Sequence, residues 1–140
     1  PLQLMNEKQE GSGLVRTILA VDEKTQSMTF AGDIPTNGQV RMMKATNDNL
    51  KSGAIGAAKL AQGQASAFNP DGMGILISCV GRKLVMGADI EDETDAVRDI
   101  FGKSINLTGF YSYGEICPMD GFQACKLHNQ TMTITYLAEK

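Results

Sequence analysis

The sequence predicts an α+β domain: a five- or six-stranded, mostly antiparallel sheet with two main helices on one side, in the order β-β-β-α-β-α-β-β. Three observations carry this. Short β-branched runs broken by turn residues fill the first third, two later segments take three- and four-residue apolar spacing, and the last part returns to extended runs. A chain of 140 residues suits one such domain, which at this length buries roughly two-thirds of its unfolded surface without needing staples.

Residues 1–13 read as a linker or disordered N-terminal edge and 14–140 as the domain. The start at Pro1, without an initiator methionine, reads as a fragment or a processed chain. Leu14 to Val21 is the first strand, Asp22-Glu23-Lys24-Thr25 a turn, and Ser27 to Ala31 the return strand. Asn37-Gly38 is a strong turn signal before a third strand, Val40 to Ala45. Leu50, Ala54, Ala58, Ala61 and Ala65 then share one helical face, with Thr46 or Asn47 as cap. Gly53, Gly56 and Gly63 in that helix imply close packing on a sheet.

After a turn at Asn69-Pro70-Asp71-Gly72, Gly74 to Cys79 is an unbroken apolar run, as in a strand buried on both faces. A turn at Gly81 and a short stretch, Leu84 to Met86, follow. A second helix spans Ile90 to Phe101, with Asp89, Glu91, Asp92 and Glu93 at its start matching the helix dipole, Ile90, Val97 and Phe101 as its buried edge, and Gly102 as its stop. Two strands, Leu107–Cys117 and Leu127–Leu137, close the chain as a hairpin around a loop with Pro118, Gly121 and Cys125.

Composition excludes several functions. Hydrophobic and charged fractions of 42% and 21% are those of an ordered globular protein. A net charge of −3 offers no basic stripe for nucleic acid. No apolar run reaches the roughly 18 residues of a membrane span, and no signal peptide opens the chain. Three cysteines cannot form a full disulfide framework and fit a reducing, cytoplasmic setting.

The closing hairpin is the richest segment. Alternation puts Tyr111, Tyr113 and Glu115 on one face, a wall for a small cationic or amphipathic ligand, while Gly109 and Gly114 leave room for close approach. Antiparallel pairing brings Glu115 near His128 or Asn129. A Glu115–His128 contact would favour the imidazolium; a neutral His128 on a backbone carbonyl is the equal alternative. Ser78 to Arg82 forms a second constellation, where Cys79 with His128 would make a cysteine–histidine dyad, although a buried structural thiol is commoner. Cys79, Cys117, Cys125 and His128 contain the donors of a zinc site, but the gap between Cys117 and Cys125 does not match ligand spacing. An axial haem role for His128 has no supporting motif. The reading therefore assigns no catalytic residue, metal or cofactor.

Taken together, LVRTI (14–18), FAGDIP (30–35), VRMMKAT (40–46), SCVGR (78–82), GFYSYGEI (109–116) and LHNQTM (127–132) resemble the FIST C-terminal domain, in this order and at similar separations. The resemblance implies an intracellular sensory module of signal transduction that detects a small ligand, amino acids being the usual proposal, and passes its state to signalling output proteins. Some relatives are associated with haem-dependent nitric oxide sensing. It also implies an N-terminal FIST half as neighbour. Carried over by motif, the ligand-binding positions are Cys79, Arg82, Gly109, Phe110, Tyr111, Tyr113, Gly114, Glu115, His128, Asn129 and Thr131. Two roles follow for the tyrosine face. It binds a zwitterion, with Arg82 on the carboxylate and Glu115 on the ammonium, or it docks onto the N-terminal half or another partner.

Overall fold

A computed structural model describes residues 1–65, 69, 71–118 and 124–139. It is α+β, with mostly antiparallel pairing distributed over several small sheets instead of one. In the first, β1 (Leu2–Met5) lies between β2 (Gly11–Arg16) and β5 (Val40–Met42), antiparallel to both. This corrects the reading of residues 1–13 as a linker or loose edge: Leu2 and Leu4 are buried, a period-two signal too short to stand out in the sequence.

The expected first strand is broken at Thr17. Its N–H donates to the Asn129 side chain at 3.2 Å and its carbonyl accepts from Ala31 N at 3.0 Å. Beyond the break, β3 (Ile18–Asp22) pairs with β4 (Ser27–Phe30) as a separate hairpin. Its turn is held by Asp22, whose carboxylate accepts from Lys24 N and Thr25 N. The Asn37-Gly38 turn forms as expected, with Asn37 at φ 60 and Gly38 N donating to Pro35 O.

α1 (Asn47–Gln64) is capped by Thr46, whose hydroxyl accepts from Asn49 N at 3.3 Å. Leu50, Ala54 and Ala58 form its buried stripe. The alanines, not the glycines, allow close packing. A side chain at Gly56 or Gly63 would meet nothing within 4 Å, so these glycines only weaken the helix. Gly56→Ala and Gly63→Ala are each expected to raise stability by about 0.4–1 kcal/mol, read as a higher urea midpoint at unchanged slope.

The main sheet has three strands. β6 (Met73–Cys79) runs antiparallel to β10 (Met132–Leu137) and parallel to β7 (Asn106–Ser112). A parallel pair requires a crossover. It is made by α2 (Val80–Met86), a 3-10 turn (Gly87–Asp89) and α3 (Glu91–Phe101). Gly81 and Leu84 to Met86, expected as a turn and a short stretch, thus belong to α2. Ala54, Ala58, Leu76, Val97, Phe101, Ile105 and Met132 form the core between α1, α3 and one face of this sheet. On the other face Ile75 and Ile77 are only half-buried, so the described residues cover β6 fully on one side and partly on the other.

The two closing strands each break once, and their long segments flank β6 instead of pairing with each other. Tyr113-Gly114 separates β7 from β8 (Glu115–Cys117), and 129–131 separates β9 (Lys126–His128) from β10. Only β8 and β9 keep the expected antiparallel pairing, with Glu115 opposite His128. Gly121 of the expected loop, and Pro70 of the earlier turn, lie outside the described residues.

Candidate functional site

Four elements converge on one buried ion pair. β6 supplies Ser78, α2 Arg82, α3 Glu93 and β7 Tyr111. Glu93 is fully buried and Arg82 is 3% exposed. Arg82 donates from Nε and Nη2 to Glu93 Oε2 at 2.9 and 2.8 Å, while the Ser78 and Tyr111 hydroxyls donate to Oε1 at 3.0 and 2.9 Å. Arg82 Nη2 also reaches the Leu50 carbonyl at 2.7 Å, tying α1 to the pair. Burying two charges is costly unless their remaining donors and acceptors are met; Glu93 meets that condition.

Burial, then the Glu93 carboxylate, push the Tyr111 hydroxyl from 10.0 up to about 12, against a smaller opposing effect of Arg82. Tyr111 therefore stays a donor throughout the ordinary pH range. The sign is that of a raised group: any stability it contributes is intact below its unfolded value and fades as pH rises through about 12.

Two hollows open on either side of this pair. On the Glu93 side, a cleft of about 310 Å³ lies between β7 and α3, walled by Tyr111, Phe110, Thr94 and Arg98 with Leu76 and Met132 below. On the Arg82 side, a cavity of about 350 Å³ is bounded by Val15, Lys44, Asn49, Gly53, Gln130 and Thr131, with Arg82 in its wall. Nη1 of Arg82 has no acceptor among the described residues. It lies 3.5 Å from where a Gly53 Cβ would stand, so the missing side chain keeps this end open. Gln130 holds a left-handed backbone at φ 56, a conformation that costs an ordinary residue roughly 1 kcal/mol.

The residues singled out from sequence divide between this centre and a second polar cluster. Glu115, 3% exposed, accepts from the Ser112 and Thr131 hydroxyls, both at 2.7 Å. His128 makes no ion pair with it; Nε2 sits 3.1 Å from the Cys117 carbonyl, which can only accept, so the ring donates there. Backbone register brings Glu115 and His128 opposite one another while their side chains take other partners. Asn129 is structural, pinning Thr17 and its own neighbour's carbonyl. The expected wall of Tyr111, Tyr113 and Glu115 does not form, because the strand ends at Ser112 and leaves Tyr113 87% exposed. Gly109 is approached by the β6 backbone and Gly114 by Leu127 and Asn129, not by open space.

Cys79 is buried at the end of β6, its N–H donating to the Thr131 carbonyl at 3.0 Å; with His128 on Cys117, no dyad is assembled. Among the described residues no three His, Cys, Asp or Glu side chains gather as metal ligands. Burial first, then Cys125 and Glu115, push the Cys117 thiol up from 9.0, which keeps it protonated at neutral pH.

Glu93 escapes a reading that counts it with the N-terminal acids of its helix. Its spacing gives it away: it stands four residues before Val97 and eight before Phe101, on the buried stripe. Lys44, Asn49 and Gly53 carry no signal, since only tertiary structure brings α1 beside Arg82.

A family model described as FIST C domain matches residues 1–118. That span contains β1 through β8 and the Arg82–Glu93 centre, and ends before LHNQTM at 127–132. Neither the curated proteins nor the solved structures provide a match.

Proposed function

Given that the chain belongs to the FIST C domain family, a family of sensory signal-transduction domains, we propose that it senses a small carboxylate-bearing molecule, an amino acid being the leading class, in the cavity beside Arg82. The observation that carries this reading is the open Nη1 of a guanidinium that is otherwise buried and engaged. Lys44 at the rim and the start of an 18-residue helix at Asn47 add two further attractions for an anion. Val15, Met43 and Met132 offer an apolar wall, and Gln130 and Thr131 polar partners for an amino end. The cavity falls within the usual size of small-molecule sites, roughly 300–1,000 Å³. Glu115 supports the site from behind by fixing the Thr131 hydroxyl; with both oxygens already engaged, it is not the ammonium partner suggested by the sequence.

The relay follows from the same geometry. An anion on Nη1 competes with Glu93 for Arg82, and Glu93 is bonded to Tyr111 on β7. The ligand state in the cavity thereby reaches the sheet edge that a cytoplasmic signalling partner could read.

Thermal-shift measurements with the common amino acids test this. A binder is expected to stabilise the chain by about 2.7 kcal/mol at one hundred times its Kd, and Gly53→Leu, which fills the space beside Nη1, and Lys44→Glu are expected to abolish the response. No response to any amino acid, or a response untouched by both substitutions, overturns the proposal.

A second reading, docking onto an N-terminal FIST half, rests on the β3–β4 hairpin. Leu19, Val21 and Met28 are 60%, 62% and 51% exposed, and Val21 stands opposite Met28. An isolated two-stranded hairpin is marginally stable in water, so a covering partner suits it. Hydrogen exchange of this hairpin should slow when the N-terminal half is supplied and stay unchanged if that half binds elsewhere.

A further inference from the structure

We infer that the free edge of β7 is a docking site for an extended segment of a partner protein, added as a further strand to the β10-β6-β7 sheet. The inference stands independently of the Arg82 cavity. Among the described residues β7 pairs only with β6. The Asn106 N–H donates to the Gly72 carbonyl at 3.3 Å, which fixes the phase of the strand. Backbone groups of alternate residues point to the same side, so Asn106, Thr108 and Phe110 face β6. Leu107, Gly109 and Tyr111 therefore turn their N–H and C=O groups outward.

Proteins commonly protect such an edge with a charge, a proline, a bulge or a very short strand. The seven residues NLTGFYS have neither a charge nor a proline, and their pairing with β6 runs without a register shift. Thr108, Gly109 and Phe110 are exposed. Unpaired, undefended backbone along a strand is complementary to polypeptide in extended form.

The cleft beside the edge specifies more. Leu107, Gly109 and Tyr111 line it, and between the Leu107 and Tyr111 side chains Leu76 and Met132 form the floor of a gap. A residue lying alongside Gly109 in an added strand would direct an apolar side chain into that gap. Arg98, whose Nη1 donates to the exposed Asp95 carboxylate at 3.2 Å, forms part of the cleft wall, and Lys83 Nζ sits 5.2 Å from the centroid of the Tyr111 ring. The remaining Arg98 donors at the cleft wall favour an acidic side chain two positions from the apolar one, on the same side of the added strand.

The test is amide hydrogen exchange, followed by NMR, on the chain titrated with the synthetic peptide acetyl-TVTLTET-amide. Saturable binding is expected to slow exchange at Leu107, Gly109 and Tyr111 by about tenfold or more while the Thr108 and Phe110 amides, already bonded to β6, change little. Arg98→Glu, at an exposed position, is expected to weaken binding about fivefold to tenfold, with acetyl-TVTLTKT-amide restoring it. The proposal is overturned by no saturable effect at millimolar peptide, or by equal effects at both sets of amides. It is also overturned if the outward amides are protected by raising the protein concentration alone, which would give the edge to a second copy of the chain.

Discussion

Glu93→Ala is expected to cost the domain about 3–5 kcal/mol, since removing one partner of a buried ion pair leaves the other charge uncompensated. Against a typical stability of roughly 5–15 kcal/mol, that would leave the variant marginally folded. Three groups lose their acceptor together, the Arg82 Nε and the Ser78 and Tyr111 hydroxyls, while Arg82 Nη2 keeps only the Leu50 carbonyl. Urea denaturation measures the loss as a lower midpoint. The double variant Glu93→Leu with Arg82→Met should recover most of it, because apolar residues of similar volume replace buried pairs at little cost. A loss below about 1 kcal/mol for Glu93→Ala would place the pair in a wetter setting than its burial implies. If the double variant is stable but no longer answers the amino acid that shifts the wild type, stability and sensing separate at this one pair.

Local chemistry made much of the fold legible. The cap at Thr46, the Asp22 and Asn37-Gly38 turns, the second helix and β6 depend on neighbours in sequence, and the chain places them within a residue or two of expectation. What failed was non-local. A run such as Leu14 to Val21 carries no mark of the interruption at Thr17, because the group that takes its N–H is Asn129, far along the chain. The hairpin expected from consecutive closing strands lost to β6, which offers both of its edges: β7 takes one in parallel and β10 the other. The α2–α3 crossover makes that parallel arrangement possible, and only the recognition of α2 as a helix would have exposed it.

The site was legible by residue type and not by partnership. Arg82 and Tyr111 do share one centre, but through Glu93, and the hydroxyl–carboxylate–guanidinium chain has no contiguous motif. The face rule that grouped Tyr111 with Tyr113 and Glu115 holds only while a strand continues, and Glu115 follows a break at Tyr113-Gly114. Burial also inverts roles. Glu115 and His128, attractive as exposed chemistry, are 3% exposed each and are used to hold loops.

Gly109→Ala is expected to cost about 1–3 kcal/mol or more, as overpacking against an immovable neighbour does. A Cβ there would strike the Leu76 carbonyl, with the carbonyl carbon at 2.8 Å and Leu76 Cα at 3.1 Å. All three are backbone atoms, so no rotamer change relieves the contact, and β7 must move away from β6 at the middle of the parallel ladder. The same methyl is expected to stabilise at Gly56, where nothing lies within 4 Å, so the sign is set by the neighbour and not by glycine's propensity. Gly114→Ala is the graded control: its Cβ would meet the flexible end of Leu127 at 3.1 Å, and its cost should fall well below that of Gly109→Ala. Measured urea midpoints in the order Gly56→Ala, wild type, Gly114→Ala, Gly109→Ala, from highest to lowest, would bear this out; a neutral Gly109→Ala would mean that the two strands part easily there. In that case the edge of β7 could not present its outward groups in the fixed row that strand addition requires.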